Sequence, residues 1–430
     1  MNKEKAKSKT KIIKKKLNNA KIVKNCKNLL SKIDLSKNKF NTLELMLIFI
    51  MALIFGILLG EMLFSNGKTT TSLTEKTNTN ITEIKNVYDT LLEEYINQVD
   101  GEKLKEAAIN GMVSTLGDRH SIYYDEEESE YFKDELNGYF YGMGAAVYQK
   151  KEGLVTIEEV YENSPAEKAG LKKGDQYLKI NGEDVTKLTS EEISKKIKGK
   201  EGKTIALTVK RKNKEVEVKV TTSKIEIPSV TKEIITKKNQ KIGYLLVSIF
   251  ASNTDEQFEK KLQELEKEKI NKLIIDLRSN QGGQLETVIN IASQFLNKKD
   301  PIIQIVNNSK TEKKYAIKNG NKNYKIVVLI NGSSASGSEV LAAALNEQLN
   351  AELIGTTTYG KGTVQKTKNL PSGGIIKYTI ETWKTSKGKD IDGKGITPTI
   401  EVEQSENYYK TYEKKDDKQL QKAIEVILKK

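Results

Sequence analysis

From Lys241 onward, short apolar and β-branched runs alternate with amphipathic stretches. IGYLLVSIF (242–250) precedes a helical segment at 254–268, and KLIIDLR (272–278) precedes another at 284–297. PIIQIV (301–306), KIVVLI (325–330), a helix near 337–347 and AELIGT (351–356) continue the series. Runs of this length bounded by Gly, Asn or charged turns read as strands. Their alternation with helices predicts an α/β core whose sheet is covered on both sides. From Tyr141 to about Val220 the strands are shorter and the helices fewer: LVTIEEV (154–160), QYLKI (176–180), TIALTVK (204–210) and EVEVKVT (215–221), with one helix from about Ser190 to Ile197. That predicts a compact second domain of strands with one or two helices. Upstream, Ile84, Val87, Tyr88, Leu91 and Leu92, then Leu104, Ala107, Ala108, Met112 and Leu116, recur at three- and four-residue steps, which predicts a small helical domain. Residues 413–430 carry Leu420, Ile424 and Leu428 on a charged background and read as an amphipathic helix.

One stretch fits neither pattern. Leu45 to Gly60 (LMLIFIMALIFGILLG) holds sixteen residues without a charge, extended past Glu61 by Met62, Leu63 and Phe64. At about 20 residues this is long enough to cross a bilayer as a helix. The net charge of +14 belongs mostly to what precedes it, since residues 1–40 contain 14 Lys against Glu4 and Asp34 and carry +12. A basic tail could serve nucleic acid or anionic lipid. Followed by an apolar span, it predicts a cytoplasmic N-terminus, an exported remainder and no nucleic-acid partner. No Ala-x-Ala cleavage site follows the span, which favours a retained anchor over a signal peptide. The single cysteine, Cys26, falls on the cytoplasmic side, so the exported part has neither disulfides nor thiolate chemistry.

The remaining chemistry narrows by elimination. There is one histidine, His120, in GDRHS, far in sequence from every Gly- or Ser-rich loop of the core, and it reads as structural. One His and one Cys exclude the usual transition-metal ligand sets, and no cofactor motif appears. GTTTYGK (355–361) has the GxxxxGK core of a phosphate loop, but Gly362 stands where the magnesium-binding hydroxyl belongs. What is left is a hydroxyl nucleophile with a base other than histidine. NGSSASGSEV (331–340) lies at a strand-to-helix turn, where helix N-terminal amides can stabilise an oxyanion. A glycine-flanked lysine follows in YGKGTVQ (359–365). By themselves these residues fit helix capping and a tight turn as well as catalysis.

At this point the sequence resembles the carboxyl-terminal processing proteases, or tail-specific proteases, of peptidase family S41, over about residues 81–430. Their Ser-Ala-Ser-x-Ser-Glu stretch appears as Ser334-Ala335-Ser336-Gly337-Ser338-Glu339, and their Gly-Lys-Gly-x-x-Gln segment as Gly360 to Gln365, with its lysine 25 residues past the middle serine. The resemblance implies Ser336 as nucleophile, Lys361 as general base and Gln365 as its companion. It also implies an oxyanion hole from the amides of Gly337, where the family usually has Ala, and of Gly282 in DLRSNQGG (276–283). GKGITPTIEV (393–402) resembles a further family segment, with Thr399 in place of Asp. Residues 137–222 look like the PDZ domain of such proteases: ENSPAEKAGLKKGDQYLKING (162–182) matches its turns, and YGMGA (141–145) its carboxylate-binding loop. The implied contacts to a substrate carboxylate are the amides of Gly142, Met143, Gly144 and Ala145.

The resulting expectation is an α+β multidomain chain with a ClpP/crotonase-like protease core. Its parts are a basic cytoplasmic tail (1–42), a transmembrane helix (43–64), a linker (65–80), a helical cap (81–136), a PDZ domain (137–222), a peptidase core (223–412) and a C-terminal helix (413–430). The expected function is a membrane-anchored serine endopeptidase without cofactors. It would take polypeptides by their C-termini and leave room for a homo-oligomer or regulatory partner. The alternatives are a catalytically silent PDZ scaffold of the cell envelope and a regulated signalling protease of a sporulation-type pathway.

Overall fold

A computed structural model describes residues 71–430 apart from 151–152, 200, 308–309, 321–322, 412 and 430. The chain divides into two units, Met1–Val99 and Asp100–Lys430. In the first, the helix Thr71–Glu94 begins ahead of the expected cap at 81. No Gly or Pro interrupts the polar residues from Thr71 onward, so nothing local stops a helix there.

The expected membrane span needs correction. No helix among the described residues is long and apolar enough to cross a membrane. Thr71–Glu94 has the length but carries seven charged residues, each costly in hydrocarbon. The segment 43–64 lies outside the described residues. The transmembrane helix, the membrane partner and the single-pass placement therefore drop out of the reading, and the α+β multidomain fold stands.

In the second unit the core is built on a six-stranded sheet. Its order is Val230–Lys237, Gln240–Val247, Lys272–Asp276, Lys325–Ile330, Glu352–Gly355 and Ile400–Glu401, all parallel after the first antiparallel pair. The two-residue period of a strand decides which layer each side chain joins. Leu273, Ile275, Ile326, Val328 and Ile330 face the helices Thr254–Lys267, Leu285–Ala292 and Gly337–Leu349. Ile274, Val327 and Leu329 face the other way, onto Leu420, Ala423, Ile424 and Ile427 of the C-terminal helix Lys418–Lys429. Strands buried on both faces read as continuous apolar runs, the form they take in the sequence.

The strand Pro301–Asn307 leaves this sheet. It joins an antiparallel sheet with Lys310–Tyr315, Ile375–Thr385, Thr363–Asn369 and Ile122–Tyr124. The last of these comes from the segment expected to be helical, and its pairing with Ile375–Thr385 brings residues 118–124 against the core. The smaller domain has a five-strand path, Ala145–Tyr148, Thr156–Val160, Gln176–Ile180, Thr204–Arg211 and Lys214–Thr221, packed around Tyr177, Ile157, Ile193 and Ile205. Chain entry and exit lie side by side, because Tyr139–Gly142 pairs with Ser223–Glu226.

Candidate active site

Strands Lys272–Asp276 and Lys325–Ile330 are parallel neighbours, so the loops at their C-terminal ends, 277–284 and 331–336, meet at one edge of the sheet. This is where open α/β sheets place their ligand crevices. Ser336 occupies the turn from the second loop into the helix Gly337–Leu349, with φ +51° and ψ −112°. A non-glycine residue there costs about 1–3 kcal/mol and persists only where its surroundings over-determine it. Here they do. Ser334 Oγ donates to Leu277 O (2.8 Å), Ala335 N to Asn280 O (3.0 Å) and Ser338 Oγ to the same carbonyl (2.8 Å). The serines flanking Ser336 are thus ties that hold the turn.

Glu339 carries the largest share of this bracing, and it is fully buried. One carboxyl oxygen accepts from the Ser336 amide (2.8 Å) and the Lys361 amide (2.9 Å); the other accepts from Thr358 Oγ1 (2.6 Å) and the Gly360 amide (2.8 Å). One side chain therefore staples the Ser336 turn to the Lys361 loop. The same contacts explain why GTTTYGK is no phosphate loop: amides that would cradle a phosphate are held by a protein carboxyl group. Trp383 Nε1 donates to Lys361 O (2.8 Å) and fixes the loop from its other side.

Ser336, Gly337, Gly282, Lys361 and Gln365 line one cleft of about 630 Å³, with Tyr124, Phe132, Leu285, Val340 and Lys377 among its walls. Burial lowers the Lys361 amine below its ordinary value, and the nearby Lys377 ammonium lowers it further; Asp118 and Glu339 act in the opposite sense. Lys377 is itself depressed by burial and donates to Tyr124 Oη (2.8 Å). His120, distant in sequence, packs edge-on to Tyr359, two residues before Lys361, with ring centroids 6.3 Å apart. Its imidazole is depressed by burial and by the charges of Lys361 and Arg119.

The oxyanion donors differ from each other. Gly337 opens a helix, where an amide has no intrahelical acceptor. The Gly282 amide instead donates to Asn280 Oδ1 (2.8 Å). Gly282 has φ +106°, and a Cβ there would lie 2.8 Å from the Ser336 Cβ, so only glycine permits this approach. Gln365 does not direct its amide nitrogen at Lys361; Nε2 donates to Thr363 Oγ1 (2.8 Å) and Thr379 Oγ1 (3.0 Å).

Gly142, Met143, Gly144 and Ala145 lie apart from this cleft. They border a second cavity of about 540 Å³, lined also by Phe140, Val147, Ile193, Ile197 and Ile227. Met143 and Gly144 fall between strands, and neither amide donates to another described residue. The helix Glu126–Asn137 borders both cavities, presenting Phe132 and Leu136 to the first and Tyr131 and Asp134 to the second. Asp134 pairs with Lys198 of the smaller domain at 2.5 Å.

The residue reading of the sequence missed Glu339, Thr358, Asp118, Thr379 and Lys377. For Glu339 a signal existed: an acid at the third position of a helix that starts on the candidate nucleophile. For the others there was none, because their partners lie far along the chain.

Three family descriptions match the chain: Peptidase family S41 over residues 241–402, PDZ domain over 142–222 and Activating protease CtpB N-terminal domain over 61–128. The chain is similar to the carboxy-terminal processing protease CtpB of Bacillus subtilis, at 38% identity over 76% of this chain and 68% of that protein. It is also similar to two proteins described as "Probable CtpA-like serine protease". The one from Staphylococcus haemolyticus is 34% identical over 77% of this chain and 66% of that protein. The one from Staphylococcus aureus is 34% identical over 81% of this chain and 71% of that protein.

Proposed function

Since the chain belongs to peptidase family S41, as a serine-type endopeptidase of the CtpA/CtpB kind with PDZ-linked recognition of C-terminal peptide regions, we propose that Ser336 is its nucleophile, Lys361 the general base and Gln365 the group that orients the base. The observation that carries this reading is the shared cleft. A serine on a strained strand-to-helix turn opens into the same cleft as a lysine whose ammonium is disfavoured by burial. Neutral Lys361 takes the Ser336 proton as Oγ attacks the peptide carbonyl, giving a tetrahedral intermediate. The lysine returns the proton to the departing amine, and water, deprotonated by the same lysine, clears the acyl-enzyme.

Gly337 N–H is the better-placed oxyanion donor. Gly282 N–H joins it once the substrate oxygen displaces Asn280 Oδ1. The amides around Met143 and Gly144 receive the terminal carboxylate, and the adjoining apolar cavity receives the last side chain.

The reading is tested by treating the protein with a fluorophosphonate and mapping the adduct. Labelling at Ser336, absent in Ser336→Ala, is the expected result, and a different labelled serine overturns it. For the second cavity, kcat/KM is compared for one unfolded peptide with a free C-terminus, an amidated C-terminus and a terminal Asp. The free apolar end is expected to be cleaved about tenfold faster than either other, from the loss of a charge-assisted hydrogen bond or of apolar burial. Equal rates would rule out selection of the terminus.

A further inference from the structure

Gln365 occupies an unusual place in its sheet. It lies on Thr363–Asn369 directly after a register shift between Val364 and Gln365, opposite Thr379 on Ile375–Thr385. Bulges of this kind re-aim a side chain, and they recur beside active sites. Beyond Thr379 stands Asp118, from the turn that precedes the strand Ile122–Tyr124. Thr379 Oγ1 donates to Asp118 Oδ2 (2.6 Å) while accepting from Gln365 Nε2 (3.0 Å). Asp118 is itself held by Ser121 Oγ (2.6 Å) and the His120 amide (2.9 Å), and Ser121 Oγ accepts from the Thr379 amide (3.2 Å).

We propose that Asp118, acting through Thr379, is a positioning residue that sets the orientation of the Gln365 amide and thereby of Lys361. The direction of the chain follows from what each group can do. The Asp118 oxygen accepts, so the Thr379 hydroxyl must donate to it, which leaves its lone pair facing Gln365. Only the NH2 end of the amide can meet that lone pair, so Nε2 is turned towards the two threonines and Oε1 is the end left for the lysine. Without the relay the hydroxyls of Thr363 and Thr379 can each donate or accept, so either end of the amide can be turned towards them. Asp118 belongs to the residues expected to form a helical cap, so the inference gives that segment a direct part in the proposed active site.

This inference rests on Lys361 being the base. Charged groups acting on Lys361 are Lys377 from Ile375–Thr385, Glu339 from Gly337–Leu349 and Asp118 itself. Burial alone would raise the Asp118 carboxyl. The hydroxyls of Ser121 and Thr379, the His120 amide and the His120 ring hold it below its ordinary value. Asp118 therefore also favours the lysine ammonium, and removing its charge moves Lys361 towards the neutral form.

The test measures kcat, KM and the pH profile on one unfolded peptide for the wild-type chain, Thr379→Val, Thr379→Ser, Asp118→Asn and Lys361→Ala. Thr379→Val keeps the shape and removes the hydroxyl; it is expected to lower kcat about 10- to 100-fold with KM within about twofold, and Thr379→Ser to restore most of kcat. Asp118→Asn should lower the plateau as well, with its acidic limb moved to lower pH, whereas the limb of Thr379→Val should stay in place. Wild-type kcat in Thr379→Val, or failure of Thr379→Ser to recover it, overturns the relay. If Lys361→Ala retains activity, the assignment of the base fails instead. An inactive Lys361→Ala beside a fully active Thr379→Val leaves the base assigned and removes only the relay.

Discussion

Lys361→Arg is expected to lose peptide hydrolysis by about 10,000-fold or more, matching Ser336→Ala and Lys361→Ala, while circular dichroism and thermal melting stay near wild type. Arg is the informative change, because it keeps the positive charge and most of the length. A guanidinium does not deprotonate in a protein, so it cannot accept the Ser336 proton. The same logic sets the sign of the pH dependence. Burial and the Lys377 charge lower the Lys361 pKa, and the neutral amine is the active form. Activity is therefore present above that pKa and lost as pH falls through it. Lys377→Met removes a like charge, so its acidic limb should move to higher pH, with a loss at neutral pH of about tenfold or less. Substantial turnover by Lys361→Arg, or an acidic limb indifferent to Lys377, would show that another group is the base.

Glu339→Gln is the second large effect expected. The change is nearly isosteric, but one acceptor oxygen becomes an NH2 that cannot accept. An NH2 in place of one oxygen faces the Ser336 and Lys361 amides; in place of the other it faces the Gly360 amide, and only the Thr358 hydroxyl can turn to accept from it. In a fully buried site this should cost about 1–3 kcal/mol of stability. Because the residue joins the Ser336 turn to the Lys361 loop, kcat should also fall about 100-fold or more as the two drift apart. Denaturant unfolding and the rate of fluorophosphonate labelling separate the two losses. A stable variant that labels at the wild-type rate would mean that the turn is held without the staple.

The serine and lysine stretches were legible because each is short and contiguous. Ser334 to Glu339 spans one turn, and Gly360 to Gln365 one loop entering a strand. Strand identity was legible for the same reason. A strand buried on both faces, such as Lys325–Ile330, writes itself as an unbroken apolar run, and Leu420, Ala423, Ile424 and Ile427 repeat at helical spacing. Which sheet a strand joins was not. PIIQIV looks like its parallel neighbours but pairs antiparallel with Ile375–Thr385 in another layer.

Local pattern thus marked the strands and helices of the six-stranded core from Gln240 to Gly355 and the two candidate segments, but not the strand Ile122–Tyr124 within the stretch expected to be helical. Tertiary structure alone decided that Glu339 binds both segments, that the Gly282 amide is already engaged, and that Asp118 reaches Thr379 across 261 positions of sequence. Hydrophobic periodicity is repeated in every turn of helix and every pair of strand residues, so a short window contains it. A hydrogen bond between distant segments depends on one donor and one acceptor meeting after the chain has packed, and no window of sequence holds both.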